Sequence, residues 1–126
     1  MDGRNNIRVG ALGESIACTY LEERGFVIVE RNYRKIWGEI DIIASKMGTT
    51  HFIEVKTVSR EASSGFHPAD NIHKRKMNRF KKAVQSYIFE YHMGECDRWQ
   101  VDALLIFLNQ RTKTASVEVL QHVDSW

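Results

Sequence analysis

Residues 38–57, GEIDIIASKMGTTHFIEVKT, carry two runs rich in β-branched residues on either side of Met47-Gly48. Two such runs around a short glycine turn predict a β-hairpin. With Lys46-Met47-Gly48-Thr49 as the turn, residues whose numbers sum to 95 face each other: Ile43 with Phe52, Asp41 with Glu54, and Glu39 with Lys56. Side chains alternate between the faces of a strand. Glu39, Asp41, Glu54 and Lys56 are therefore expected on one face, and Ile40, Ile42, Ile53 and Val55 on the other, against the core. A one-residue slip would expose the isoleucines, which fixes the register. The difficulty is the acids, because like charges directly opposite each other destabilise a sheet. A proton on one carboxyl, neighbouring cations or a bridging metal ion would each offset the repulsion. Hard cations such as Mg²⁺ suit one or two carboxylates completed by waters and phosphates. The plainer alternative is a solvated face, which fits Glu39 best, as an ion-pair partner of Lys56.

The remaining elements follow from periodicity and punctuation. Residues 7–24 predict a helix with Leu12, Ile16 and Tyr20 as its stripe and Gly25 as its C-terminal cap. FVIVERNYR (26–34) predicts a strand. SREASSGFHPAD (59–70) reads as a polar loop. A second helix is expected over 71–93, with Asp70 as N-cap and Gly94 at its end. Its stripe is Ile72, Phe80, Val84, Tyr87, Ile88 and Tyr91, with Lys76 occupying a stripe position. RWQVDALLIF (98–107) is apolar enough to be buried on both faces, and SVEVLQH (116–122) suits an edge strand. The class is α/β: a mixed sheet flanked by helices, in the order α-β-β-β-α-β-β. At 126 residues the chain is expected to form one domain spanning 1–126.

Two further features bear on function. On a helical wheel Glu14 is ringed by Gly10, Ala11, Ala17, Cys18 and Leu21, a small and apolar face that should touch the sheet. A carboxylate there is costly without a partner, and it could reach Asp41 and Glu54. Between Asn71 and Phe89 there are six basic residues and no acid (Lys74, Arg75, Lys76, Arg79, Lys81 and Lys82). That asymmetry argues for a polyanionic partner. Lys74, Arg75, Lys76 and Arg79 are the candidate phosphate contacts, and Lys81 and Lys82 suit a solvated face. Such contacts carry little sequence information.

Other classes are disfavoured. The longest apolar run, Ala103–Leu108, is too short for a bilayer, and residues 1–10 lack the apolar stretch of a signal peptide. Cys18 and Cys96 lack CxxC spacing and read as free thiols, so a cytoplasmic location is expected. The five histidines show no HxxxH or HExxH spacing for zinc. Asp102, inside an apolar strand, reads as a structural acid satisfied by Arg98 or a backbone group. Trp37 suits packing, or stacking on a base.

Asp41, followed twelve residues later by Glu54-Val55-Lys56, resembles the PD-(D/E)XK nuclease signature, with Ile40 in place of the nominal proline. GALGE (10–14) with Ala17 resembles the first-helix G-x-x-G-E-x-x-A element of one branch of that superfamily. RNYR (31–34), GEIDIIA (38–44), FIEVKT (52–57), Ile72…Lys76…Arg79-Phe80 and RWQVDALLI (98–106) are similar, in order, to blocks of the YraN-like (UPF0102) family. Archaeal Holliday-junction resolvases belong to the same branch. The resemblance implies a restriction-endonuclease-like core and a phosphodiesterase using Mg²⁺ or Mn²⁺. Asp41 and Glu54 would be metal ligands, with Glu14 a ligand directly or through water. Lys56 would orient or activate the attacking water, or stabilise charge on the phosphate. The implied substrate is nucleic acid, DNA above all, taken structure-selectively or nonspecifically. Junction resolvases act as symmetric dimers, which extends the expectation to a homodimer. The rival reading is a nuclease-like binding or scaffold module without turnover.

Overall fold

The computed structural model describes residues 3–59 and 74–121, with side chains from residue 8 in the first segment and from residue 76 in the second. The elements are α1 (Gly3–Glu23), β1 (Val27–Lys35), β2 (Gly38–Lys46), β3 (Thr49–Ser59), α2 (Lys74–Glu90), β4 (Arg98–Asn109) and β5 (Thr114–Leu120). The strands lie in one sheet in the order β1-β2-β3-β4-β5. Only β3 and β4 run parallel; the other pairings are antiparallel. Parallel neighbours need a crossover, and α2 lies in the segment between them. This is the α/β order expected from the sequence.

The hairpin register is the expected one. Ile42 pairs with Ile53, Ile43 with Phe52 and Lys46 with Thr49. Met47 and Gly48 both take positive φ, 50° and 80°, the geometry of a type I′ turn, whose twist matches that of the strands.

Each face of the sheet carries one helix. Ala17, Cys18 and Leu21 of α1 pack on Ile42, Ala44, Ile53, Val55, Leu104, Ile106 and Leu108. Phe80, Ala83, Val84 and Tyr87 of α2 pack on Tyr33, Ile40, Ile43, Phe52 and Val101. Each large side chain so buried contributes about 1.5–3 kcal/mol. Val101 to Ile106 are all buried, as expected for a strand covered on both faces, and β5 is an exposed edge.

The stripe expected for α1 is displaced. Leu12 is 49% exposed, while the buried face runs through the small residues Gly13, Ala17 and Cys18. Small residues let the helix axis approach the sheet. A Cβ at Gly13 would fall 1.8 Å from Thr57 Oγ1, so only glycine permits this contact. α1 ends as expected: Phe26 N–H donates to the Leu21 carbonyl and Gly25 N–H to that of Glu22, with Gly25 at φ 88°, a Schellman cap. α2 ends earlier than expected. Met93 N–H donates to the Ile88 carbonyl and His92 N–H to that of Phe89, with His92 at φ 52°. His92, not Gly94, is the left-handed residue, and Tyr91 of the expected stripe is 53% exposed. Asp70, Ile72 and the loop beyond Ser59 lie outside the described residues.

Candidate functional site

Ladder pairing between β2 and β3 stops at Ile42–Ile53. Beyond it the Asp41 side chain takes over: its Oδ2 accepts the Val55 N–H at 2.8 Å. On the other flank, Arg31 pairs with Ile42 and Tyr33 with Ile40, so Asn32 and Asp41 share the rung between. Asn32 has φ 53°, a conformation asparagine tolerates better than most residues. Alternation breaks at this rung. Ile42 joins the α1 core and Ile40 the α2 core, so the four apolar residues expected on one face are divided between two. Glu39, expected to face Lys56, instead pairs with Arg34 at 3.5 Å across the β1–β2 hairpin.

A groove of about 510 Å³ opens at this break, lined among others by Glu14, Arg34, Asp41, Lys56, Thr57 and Lys76. Close packing of Gly13 on Thr57 brings Glu14 to one wall. Glu54 is buried, its side chain only 3% exposed. Lys76 Nζ, reaching over from α2, lies 2.5 Å from Glu54 Oε1. The contact is an ion pair, and both Glu54 oxygens are buried.

The electrostatics follow from this crowding. Burial, then the charge of Asp41, pushes the Glu54 carboxyl up from 4.5 to about 8, against the pull of Lys76. Burial also raises Asp41, opposed by the Val55 N–H and by Lys76. Glu14 is raised by burial and then by Asp41, while Arg31 and Arg34 pull it down. Burial and then the like charge of Lys76 lower Lys56, against the attraction of Glu54. Burial would lower Lys76 too, but Glu54, Asp41 and Glu39 outweigh it, and the net direction is upward. Two carboxyls driven towards protonation are a site short of positive charge.

The expected residues are thus partly assembled. Asp41, Glu54 and Lys56 come together, and Glu14 looks on from α1. Among the described residues, however, no three His, Cys, Asp or Glu side chains close into a metal cluster. Glu14 senses Asp41 electrostatically, and the place beside Glu54 is taken by the Lys76 ammonium. Lys76, expected among the phosphate contacts, lies against Glu54. Arg79 is exposed on α2, as a phosphate contact would be, and its carbonyl packs where a Cβ on Gly38 would fall, 1.9 Å away. The Lys74 and Arg75 side chains lie outside the described residues. Arg34 was not anticipated; its only signal was its place opposite Glu39 across a tight turn.

Asp102 is buried on β4. Its Oδ2 lies 2.7 Å from His51 Nδ1, and its Oδ1 accepts from Gln100 Nε2 at 2.8 Å. Trp37 is 47% exposed. Cys18 and Cys96 are free thiols. No helix among the described residues is long and apolar enough to cross a membrane.

Fold and site together define an α/β domain, with two helices among the described residues, whose central hairpin gives way around a pair of acids, Glu54 buried and Asp41 half-buried. The model of the uncharacterised protein family UPF0102 matches residues 13–106. The chain is 41% identical to a UPF0102 protein of Chlorobium phaeobacteroides over 78% of its length and 76% of the relative's. It is 35% identical to one of Helicobacter hepaticus over 94% of its length and 96% of the relative's. A Clostridium botulinum relative is 34% identical, over 93% of this chain and 94% of the other. The chain belongs to the UPF0102 family.

Proposed function

We infer that this protein is a metal-dependent nuclease of the PD-(D/E)XK kind, hydrolysing phosphodiester bonds of DNA with Mg²⁺ or Mn²⁺. The observation that carries the reading is the Glu54 carboxyl: buried beside Asp41 and pushed up to about 8 even with the Lys76 ammonium against it. Such a pair suits a hard divalent cation. Asp41 and Glu54 would hold it, with Glu14 contributing directly or through water. Such an ion supplies Lewis-acid polarisation of a phosphoryl oxygen and a lowered pKa for its water.

The chain's own groups account for the rest. Lys56 lines the same groove, and its lowered pKa eases the exchange of a proton with an attacking water. When protonated it stabilises negative charge on the phosphate. Val55 N–H fixes the orientation of the Asp41 carboxyl. Arg34 on the rim, with Arg79, Lys74 and Arg75 of α2, would receive flanking phosphates. Contacts of that type favour structure-selective or nonspecific binding and make it salt-dependent. The free thiols agree with a cytoplasmic setting, where they stay reduced. A symmetric dimer would present two such grooves to a branched substrate.

The second reading is a nucleic-acid-binding or scaffold module without turnover, favoured by one observation: Lys76 already occupies the acid pair. Cleavage of supercoiled, linear and four-way-junction DNA with Mg²⁺ or Mn²⁺, in wild type and Asp41→Ala, separates the two. Cleavage by wild type alone supports the nuclease. Equal activity in both proteins refutes the site, and metal-dependent binding without cleavage favours the module.

A further inference from the structure

We propose that Lys76 is an exchangeable internal cation: its ammonium sits against Glu54 in the metal-free protein and must leave for a divalent ion to bind, which frees it for substrate phosphate. The proposal rests on the metal reading above and adds a competitor to it.

Glu54 is fixed in the core, its side chain 3% exposed, whereas the Lys76 side chain is 41% exposed. One member of the pair is anchored and the other lies partly in solvent on a four-carbon stem with several rotatable bonds. The backbone of α2 is held independently, because Met77 and Phe80 are buried beside Lys76. The ammonium can therefore swing out while the helix stays docked.

Charge favours the exchange. Asp41 and Glu54 as carboxylates carry two negative charges, and one ammonium leaves a residual one; a divalent ion leaves none. An ammonium and a dication on the same carboxylate oxygen repel strongly in a poorly solvated site. The groove lined by Lys76 also holds Arg34 and Lys56, beside Glu14 and Asp41, so a phosphate entering it would meet three cationic side chains, the released ammonium among them. Metal entry and phosphate capture would thereby be linked through one side chain.

A lysine that merely props up the acids would help the metal to bind; a competitor must hinder it. Calorimetric titration with Mn²⁺ alone, in the absence of DNA, tells these apart. Lys76→Gln is expected to bind Mn²⁺ at least tenfold more tightly than wild type, with Asp41→Asn as the non-binding control. Unchanged or weaker binding in Lys76→Gln overturns the proposal while leaving the metal site standing. Absence of Mn²⁺ binding in both wild type and Lys76→Gln removes the metal reading and the proposal together. A second measurement needs no variant: acylation of Lys76 by an amine-reactive reagent, read by mass spectrometry. Lys76 should be protected in EDTA and become severalfold more reactive in saturating Mn²⁺. Equal reactivity in the two conditions contradicts the exchange.

Discussion

Replacing Glu54 with glutamine isolates the cost of burying this carboxyl beside Asp41. In the metal-free protein the Glu54 carboxyl is raised from 4.5 to about 8, with burial first among the causes and Asp41 second. An acid whose folded pKa lies above its unfolded value holds its proton more tightly when folded. Its contribution is therefore fully present below about pH 4.5 and is lost as pH rises through about 8. At about 1.36 kcal/mol per pH unit, that rise corresponds to roughly 5 kcal/mol as a ceiling. Glutamine is near-isosteric and never charges. Near pH 5 the variant and wild type should differ by under about 1 kcal/mol. By pH 8.5 Glu54→Gln should be the more stable by several kcal/mol. Urea unfolding in EDTA across this range reads the difference directly, and taking the difference cancels the titration of histidines common to both proteins. A variant less stable than wild type at pH 8.5, or a difference that does not change with pH, would refute the buried, charge-starved site.

Gly13→Ala should cost about 1–3 kcal/mol by overpacking, since its Cβ would meet Thr57 Oγ1 at 1.8 Å and Thr57 Cβ at 2.8 Å; urea midpoints check this, and Thr57→Gly should restore part of the loss. Asp102→Ala should cost about 1–3 kcal/mol by stranding His51 Nδ1 and Gln100 Nε2. Its Mn²⁺ affinity in calorimetry should match wild type, which separates the structural acid from the site acids.

The parts legible in the sequence were those governed by local rules. Met47-Gly48 dictates a primed turn, and alternation from it delivers the pairing down to Ile42–Ile53. The position of Glu14 was legible because small residues surround it. The same small residues misled the reading of α1, because bulky Leu12, Ile16 and Tyr20 looked more like a core than Gly13 and Ala17. Packing rewards close approach, and size alone does not reveal it. The break at Asp41 was hidden because it depends on the left-handed Asn32 and on a side chain capturing a backbone amide from the next strand. Lys76 was visible as a polar intruder in an apolar stripe. Its target was not, because the α2–β3 contact is set by tertiary packing. The His51–Asp102 pair required the parallel β3–β4 register, a non-local fact that no spacing encodes.

The most direct test of the account is a crystal structure grown in Mn²⁺ and examined by anomalous scattering. The account predicts a single strong peak between the carboxyls of Asp41 and Glu54, with Lys76 Nζ withdrawn from Glu54. No peak there at saturating Mn²⁺, with the Lys76–Glu54 pair intact, would contradict it.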